Sequence, residues 1–236
     1  MMRSTDRLAA CSKQLDAFQL PFELVSAVNG EELAASTIHE LYNYAESPYH
    51  KHLTKGEIGC YLSHIRVWQK IVDEQLDYAL VLEDDVLLQD NIQQGLDAIQ
   101  DIRQPWDLIK LAEAPIKRKA VHTLPLNEFS LVSYNKVPSR TCAQVISLSG
   151  AKKLLANSTK IKRPIDIEIQ HWWASNLKVF GLQPYIVKAN KQVESEIDRT
   201  RSREQSNQSR FRKFIRSVQF YFKNKSELKK RLRQLK

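Results

Sequence analysis

The chain reads as an α/β domain, and three observations predict it. An apolar run over residues 78–86 ends in three consecutive carboxylates, Glu83, Asp84 and Asp85. Helical stripes alternate along the chain with short runs rich in Leu, Ile and Val, the pattern of a sheet covered by helices. A length of 236 residues suffices for one substantial core. The expectation is a single domain over residues 1–198 with a mostly parallel central sheet flanked by helices, followed by a basic helical tail over residues 199–236.

The elements follow in order. Leu8, Cys11, Leu15 and Phe18 recur at spacings of three and four, which predicts a helix over 6–18, and Pro21 stops it. Residues 22–28 alternate like a strand, and Asn29-Gly30 turns it. Thr54 followed by Glu57 has the spacing of a capping box, so a helix should begin there, with Ile58, Leu62, Ile65, Trp68, Ile71 and Val72 as its apolar stripe. The central strand is placed at 78–86, a helix at 91–103 ended by Pro105, and another strand at 106–111. Residues 113–136 are less regular and basic near Lys117, which predicts loops and a hairpin. A strand over 142–148 leads into a short helix over 151–156 capped by Ser149. Pro164 opens the next helix, where its missing amide hydrogen is no loss, and places Asp166 in the first turn. Residues 184–189 supply a last strand.

Charge is unevenly spread. From 199 to 236 there are 14 Lys and Arg against two acids, +12, while the other 198 residues carry 22 against 25, −3. A near-neutral body argues against a nucleic-acid-binding core, and no nucleic acid partner is expected. Cys11, Cys60 and Cys142 are odd in number and lack the Cys-x-x-Cys spacing, which argues against a disulfide framework and a zinc site. Residues 1–7 are too polar for a signal peptide, and no apolar stretch is long enough to span a bilayer, so the expected compartment is the cytoplasm.

Three adjacent carboxylates repel one another unless they are solvated or neutralised. A hard divalent cation relieves the repulsion at a strand's carboxyl end, and an acidic turn solvated by water is the plainer alternative. If the strand stays extended, Glu83 and Asp85 share one side and Asp84 the other; a bend brings in Asp84 instead. Asp85 is the first choice of ligand. Asp166 has a structural reading as a helix-start residue stabilised by the amide dipole. His64 and His171 each have one as a hydrogen-bonded histidine on a mixed helix face.

The flanks carry more information. The segment Lys55-Gly56-Glu57-Ile58-Gly59-Cys60-Tyr61-Leu62-Ser63-His64 lies upstream of the acidic run; downstream lie residues 142–155 and the Pro164-Ile165-Asp166 motif. Together these resemble glycosyltransferase family 25, the bacterial lipooligosaccharide galactosyltransferases and their collagen-modifying relatives, from about residue 3 to about residue 186. The resemblance implies a GT-A-like fold and transfer of a hexose, galactose from UDP-galactose foremost, onto a lipid-linked lipooligosaccharide or lipopolysaccharide acceptor with inversion. It implies a divalent metal, Mn2+ or Mg2+, held by Asp85 and Glu83, with His171 completing the shell as in other GT-A enzymes. Glu57, Ser63, His64, Glu83 and Asp84 are then expected at the donor. Asp166 is the expected base, or Asp166 holds the acceptor hydroxyl while Glu168 takes the proton. The family also carries a strand ahead of residues 3–7. This chain begins without it, so the nucleotide pocket is expected to lack a wall, through a misassigned start or a truncation that impairs activity, and a weakly active or inactive nucleotide-sugar-binding relative is the alternative.

In the tail, Phe211, Phe214, Ile215, Val218 and Phe222 recur at helical spacing among Arg210, Arg212, Lys213 and Arg216. That basic amphipathic design suits an interfacial helix on an anionic inner leaflet, and peripheral attachment there is the expectation. A helix that covers the protein's own sheet or a partner subunit is the alternative, with RNA binding third.

Overall fold

A computed structural model describes residues 2–112, 116–190 and 210–234. The chain builds helices α1 (Met2–Ala17), α2 (Ala35–Leu41), α3 (Lys55–Asp73), α4 (Ile92–Gln100), α5 (Leu148–Ala156), α6 (Ile165–Gln170) and α7 (Arg210–Gln234). Its strands are β1 (Tyr78–Leu82), β2 (Val86–Leu88), β3 (Leu108–Lys110), β4 (Ala120–Leu126), β5 (Phe129–Tyr134), β6 (Ala143–Ser147), β7 (Val179–Gln183) and β8 (Val187–Ala189). Six strands form one sheet in the order β1-β6-β3-β7-β5-β4, and β2 pairs with β8 in a second.

The fold is α/β as expected, but the sheet is mixed rather than mostly parallel. Only β3 and β7 run parallel in it; β1/β6, β3/β6, β5/β7 and β4/β5 are antiparallel. The reason is connectivity. β4 and β5 close a tight hairpin, which forces antiparallel pairing, and the long excursion from β3 through that hairpin brings β6 back between β1 and β3 in the opposite sense. Adjacent residues such as Leu108 and Ile109, Val145 and Ile146, or Val179 and Phe180 enter different hydrophobic clusters, so both faces of the sheet are covered. One cluster takes Ile58, Tyr61, Trp68 and Ile71 of α3 with Ala151, Leu154, Ile165 and Ile169 of α5 and α6. The other takes Cys11 and Leu15 of α1 with Ile92, Ala98 and Ile99 of α4.

Local chemistry explains the element ends. The capping box forms: the Thr54 hydroxyl accepts from the Glu57 amide at 3.1 Å, and the Glu57 carboxylate accepts from the Thr54 amide at 2.9 Å. Four expectations change. Residues 22–28 run without strand pairing, because their polar anchor is α3: the Val28 amide donates to Ser63 Oγ at 2.8 Å. The cap of α5 is Ser147, whose hydroxyl accepts from the Gly150 amide, while the Ser149 hydroxyl donates to the buried Asp107. The last strand, expected over 184–189, shortens to β8, and an unexpected strand, β7, precedes Pro184. The strand expected over 78–86 ends at Leu82 and turns through Asp84 and Asp85 before β2. Gln14 of α1 pins the far side of that turn, donating to the Val86 carbonyl at 3.1 Å and accepting from the Leu88 amide at 2.9 Å.

The boundary expected at 198/199 lies outside the described residues. Beyond it, α7 packs on the body: Phe220 meets the rings of His171 and Trp173, and Asn224 accepts from Trp172 Nε1 at 3.4 Å and donates to the Asn135 carbonyl at 2.7 Å.

Candidate active site

The acidic turn sits where the end of β1, the end of β3 and the start of β6 converge. Antiparallel pairing sets Leu82 opposite Ala143 and Lys110 opposite Gln144, and the Glu83 amide donates to the Cys142 carbonyl at 2.8 Å. Helix α3 contributes His64 and Cys60, one turn apart on the same face. The segment before β6 adds Arg140 and Thr141.

The bend separates the three carboxylates. Glu83 accepts from the Thr141 hydroxyl at 2.5 Å and lies 3.4 Å from His64 Nε2. Burial pushes its acidity down, but His64, Thr141 and the Lys110 charge outweigh that and hold Glu83 below the usual carboxylate range. Asp84 turns to Arg7 of α1 at 3.1 Å. Asp85 is held by its backbone, whose carbonyl accepts from the Asn190 amide at 2.7 Å, while its side-chain Oδ1 is buried without a hydrogen-bond partner. Burial first, then Glu83 and Asp84, raises Asp85 above its ordinary value; Arg140 and Arg7 only partly offset this. His64 Nδ1 and Gln144 Nε2 are also buried and unpartnered. One Cys60, one His64 and one Glu83 ligand atom lie within 4.8 Å of one another, the one such group of three among the described residues.

Opposite the carboxylates stands Lys110, whose side chain is fully buried and donates to the Arg140 carbonyl at 2.6 Å and to Gln144 Oε1 at 3.3 Å. Burial lowers its pKa to about 8 against the pull of Cys142, Asp166 and Glu83. Arg140 adopts a left-handed backbone, φ 67°, a conformation disfavoured for a side chain with a Cβ and concentrated at functional sites. Its amide approaches Asp166 Oδ2 at 3.5 Å, which ties the start of α6 to the same corner.

The structure therefore brings Glu83, Asp84, Asp85, His64 and Asp166 to one end of the sheet. Other expected site residues have local partners. Glu57 completes the α3 capping box, and the Ser63 hydroxyl accepts from Val28 and donates to the Gly59 carbonyl at 2.8 Å. Gly59 makes that junction possible, since a Cβ there would sit 2.6 Å from the Val28 carbonyl oxygen. Glu168 points into the core, where Arg163 Nη1 donates to both its oxygens at 3.2 and 3.0 Å. His171 shares Nδ1 with the Ile167 carbonyl at 2.8 Å and packs between Trp173 and Phe220, and burial lowers its pKa to about 4. Among the described residues it belongs to no set of three ligand atoms. Lys110, Arg140, Thr141 and Gln144 escaped the sequence reading. The one available signal was a lysine ending an otherwise apolar strand.

A cavity of about 370 Å³ lined by Leu33, Ile38, His39, Tyr42, Tyr44 and His52 contains none of these groups, and Tyr44 stacks on His52 in its wall. The perturbed and unpaired groups mark the chemistry elsewhere, at the end of β1.

Residues 1–169 match the sequence profile described as "Glycosyltransferase family 25 (LPS biosynthesis protein)". The chain is 31% identical over 218 residues to "Procollagen galactosyltransferase 1" of Danio rerio, covering 79% of this chain and 35% of that protein. It is 30% identical over 210 residues to "Procollagen galactosyltransferase 2" of Homo sapiens, covering 79% and 33%. It is also 32% identical over 213 residues to "Inactive glycosyltransferase 25 family member 3" of Homo sapiens, covering 79% and 35%. The chain thus spans about a third of the length of the curated relatives it matches. With the profile extending across most of the residues that build the sheet and its acidic corner, the chain belongs to glycosyltransferase family 25.

Proposed function

We propose that the protein is a glycosyltransferase that moves a hexose, galactose from UDP-galactose, onto a lipid-linked oligosaccharide acceptor at the cytoplasmic face of the inner membrane, with inversion and with a divalent metal, Mn2+ or Mg2+. The observation that carries this reading is the buried, unpartnered Oδ1 of Asp85 within a surplus of negative charge. A cation fits there: the donors are hard carboxylate oxygens, and burial beside Glu83 and Asp84 disfavours the ionised form of Asp85, an environment that a positive charge relieves. Asp85 would hold the metal, with Glu83 beside it. When bound, the metal supplies Lewis-acid neutralisation of the charge that gathers on a departing diphosphate.

The chain's own residues supply the rest. Lys110 and Arg140 place positive charge at the same corner and stabilise the leaving group as its charge grows. His64 and Thr141 fix the Glu83 carboxylate, leaving one of its edges for the donor. Asp166 takes the proton of the acceptor hydroxyl at Oδ2, whose contact with the Arg140 amide is long at 3.5 Å, whereas Oδ1 accepts from the Ile167 amide at 2.9 Å. Glu168 is less suited to this step because Arg163 engages both its oxygens.

A second reading is a nucleotide-sugar-binding relative without turnover, favoured by the identity of 32% shared with an inactive family member. Purified protein incubated with UDP-galactose and Mn2+ separates the two. Metal-dependent release of UDP supports the enzyme, and binding without turnover supports the relative. Asp85→Asn is expected to lower UDP release by at least ~100-fold while raising the melting temperature of the metal-free protein, because the substitution removes a buried like charge. Full activity in this variant would defeat the metal assignment.

A further inference from the structure

The C-terminal helix is used on two sides. Phe220, Asn224, Leu228 and Arg231 form one stripe, and each meets the body. Arg231 donates to the Leu177 carbonyl at 3.3 Å and stacks 5.2 Å from the Trp172 ring and 4.7 Å from the Phe180 ring. Phe220 also carries Lys136 Nζ at 4.6 Å over its face. The opposite stripe is exposed among the described residues: Phe214 is 67% exposed, Phe222 65% and Tyr221 56%, with Ile215 and Val218 at 37% between them. Five large apolar side chains on one exposed helix face are a binding surface or a liability.

The charge around them selects the occupant. Residues 210–234 hold ten Lys and Arg against a single acid, Glu227. Glu227 lies toward the docked side, paired with Lys223 at 3.1 Å and Lys230 at 3.0 Å, so the outward face carries Lys225 and Lys229 with no acid. A second copy of this chain is disfavoured, since two-fold pairing would set one strongly positive face against another. An apolar stripe edged by lysines matches a surface that is anionic outside and apolar a few ångströms in, which is a bilayer with acidic headgroups.

We propose that α7 lies flat on an anionic bilayer, with Phe214, Val218, Tyr221 and Phe222 entering the interface and Lys225 and Lys229 at the headgroups. The docked stripe gives this contact a consequence. Phe220 packs on His171 and Trp173, directly after α6, and α6 carries Asp166 in its first turn, so membrane contact sets the direction in which the candidate site faces. The orientation clause rests on the function proposed above, whereas the binding itself does not.

The test is flotation of the whole chain with phosphatidylcholine vesicles and with vesicles that also contain phosphatidylglycerol. Binding is expected only to the second set, weakened by salt. At about 1 kcal/mol per surface cation, Lys225→Gln with Lys229→Gln should lower partitioning by roughly tenfold or more. Phe214→Ser with Phe222→Ser should abolish binding with the helical circular-dichroism signal and UDP-galactose hydrolysis in solution unchanged. Equal binding to neutral vesicles, no binding at all, or binding that survives both double variants would overturn the proposal. So would light scattering that shows a dimer lost on Phe222→Ser, which names a second copy as the occupant. Inorganic phosphate that releases the protein from vesicles at equal charge concentration would assign the cations to free phosphate and overturn it likewise. Failure here with intact UDP release would leave the transferase reading standing.

Discussion

Helix α3 behaves differently on two of its faces. At its start every polar group of the motif finds a near partner: Thr54 and Glu57 cap each other, and Ser63 and Gly59 lock the helix to Val28. The residue that follows Ser63, His64, keeps an unpartnered Nδ1 and faces Glu83, next to an Asp85 whose Oδ1 is likewise unpartnered. The same ten-residue motif therefore divides into a part that holds the fold and a part that is left under-satisfied. Buried polar atoms without partners are rare in native proteins because each carries a desolvation penalty, so a cluster of them marks where a ligand completes the structure. α6 repeats the division, with Glu168 sealed by Arg163 and Asp166 turned toward Arg140.

The sharpest way to break this comparison lies in α6. Glu168→Gln leaves Arg163 as a buried cation without its partner and should lower stability by about 3 kcal/mol, read by urea denaturation. Asp166→Asn should leave stability within about 0.5 kcal/mol and lower kcat by ~100-fold. The reverse pattern would make Glu168 the base and Asp166 the helix-start residue.

Lys110 offers a second test, in which stability and activity move in opposite directions with pH. Its folded pKa of about 8 lies below the ordinary 10.5, so between those values the folded state binds fewer protons than the unfolded chain. Stability should then rise as pH climbs from about 8 to 10.5. UDP release should fall over the same range as the cation facing the leaving group is lost. Lys110→Met should flatten both profiles; a stability slope that persists in the variant would place the titration on another group.

The smallest expected effect is at the satisfied end of α3. Thr54→Ala removes one half of the capping box and should lower stability by ~1 kcal/mol with kcat/KM unchanged once the protein is folded. A selective loss of kcat/KM at constant stability would extend the functional part of α3 back to its first turn.

What could be read in advance was what depends on near neighbours. The α3 cap depends on residues three apart, the acidic turn on three adjacent carboxylates, and the apolar stripe of α3 on helical spacing, which found the buried Ile58, Trp68 and Ile71 but placed Tyr61 outside it while Leu62, Ile65 and Val72 are only partly buried. Residues 22–28 misled because alternation alone does not supply a pairing partner, and α3 offered Ser63 in place of a strand. Lys110, Arg140, Thr141 and Gln144 looked unremarkable because each acquires its role only from what lies opposite it.

By itself the amino-acid sequence determined the α/β class, the main helices and strands, the acidic corner and the amphipathic tail, all of which follow from spacing and charge along one segment. The tertiary structure decided the strand order and its mixed sense, the allotment of Glu83 to His64, Asp84 to Arg7 and Asp85 to no one, and which stripe of α7 is buried. Those outcomes turn on contacts between residues distant along the chain, where packing and desolvation rather than local propensity choose among arrangements that short-range patterns leave equal.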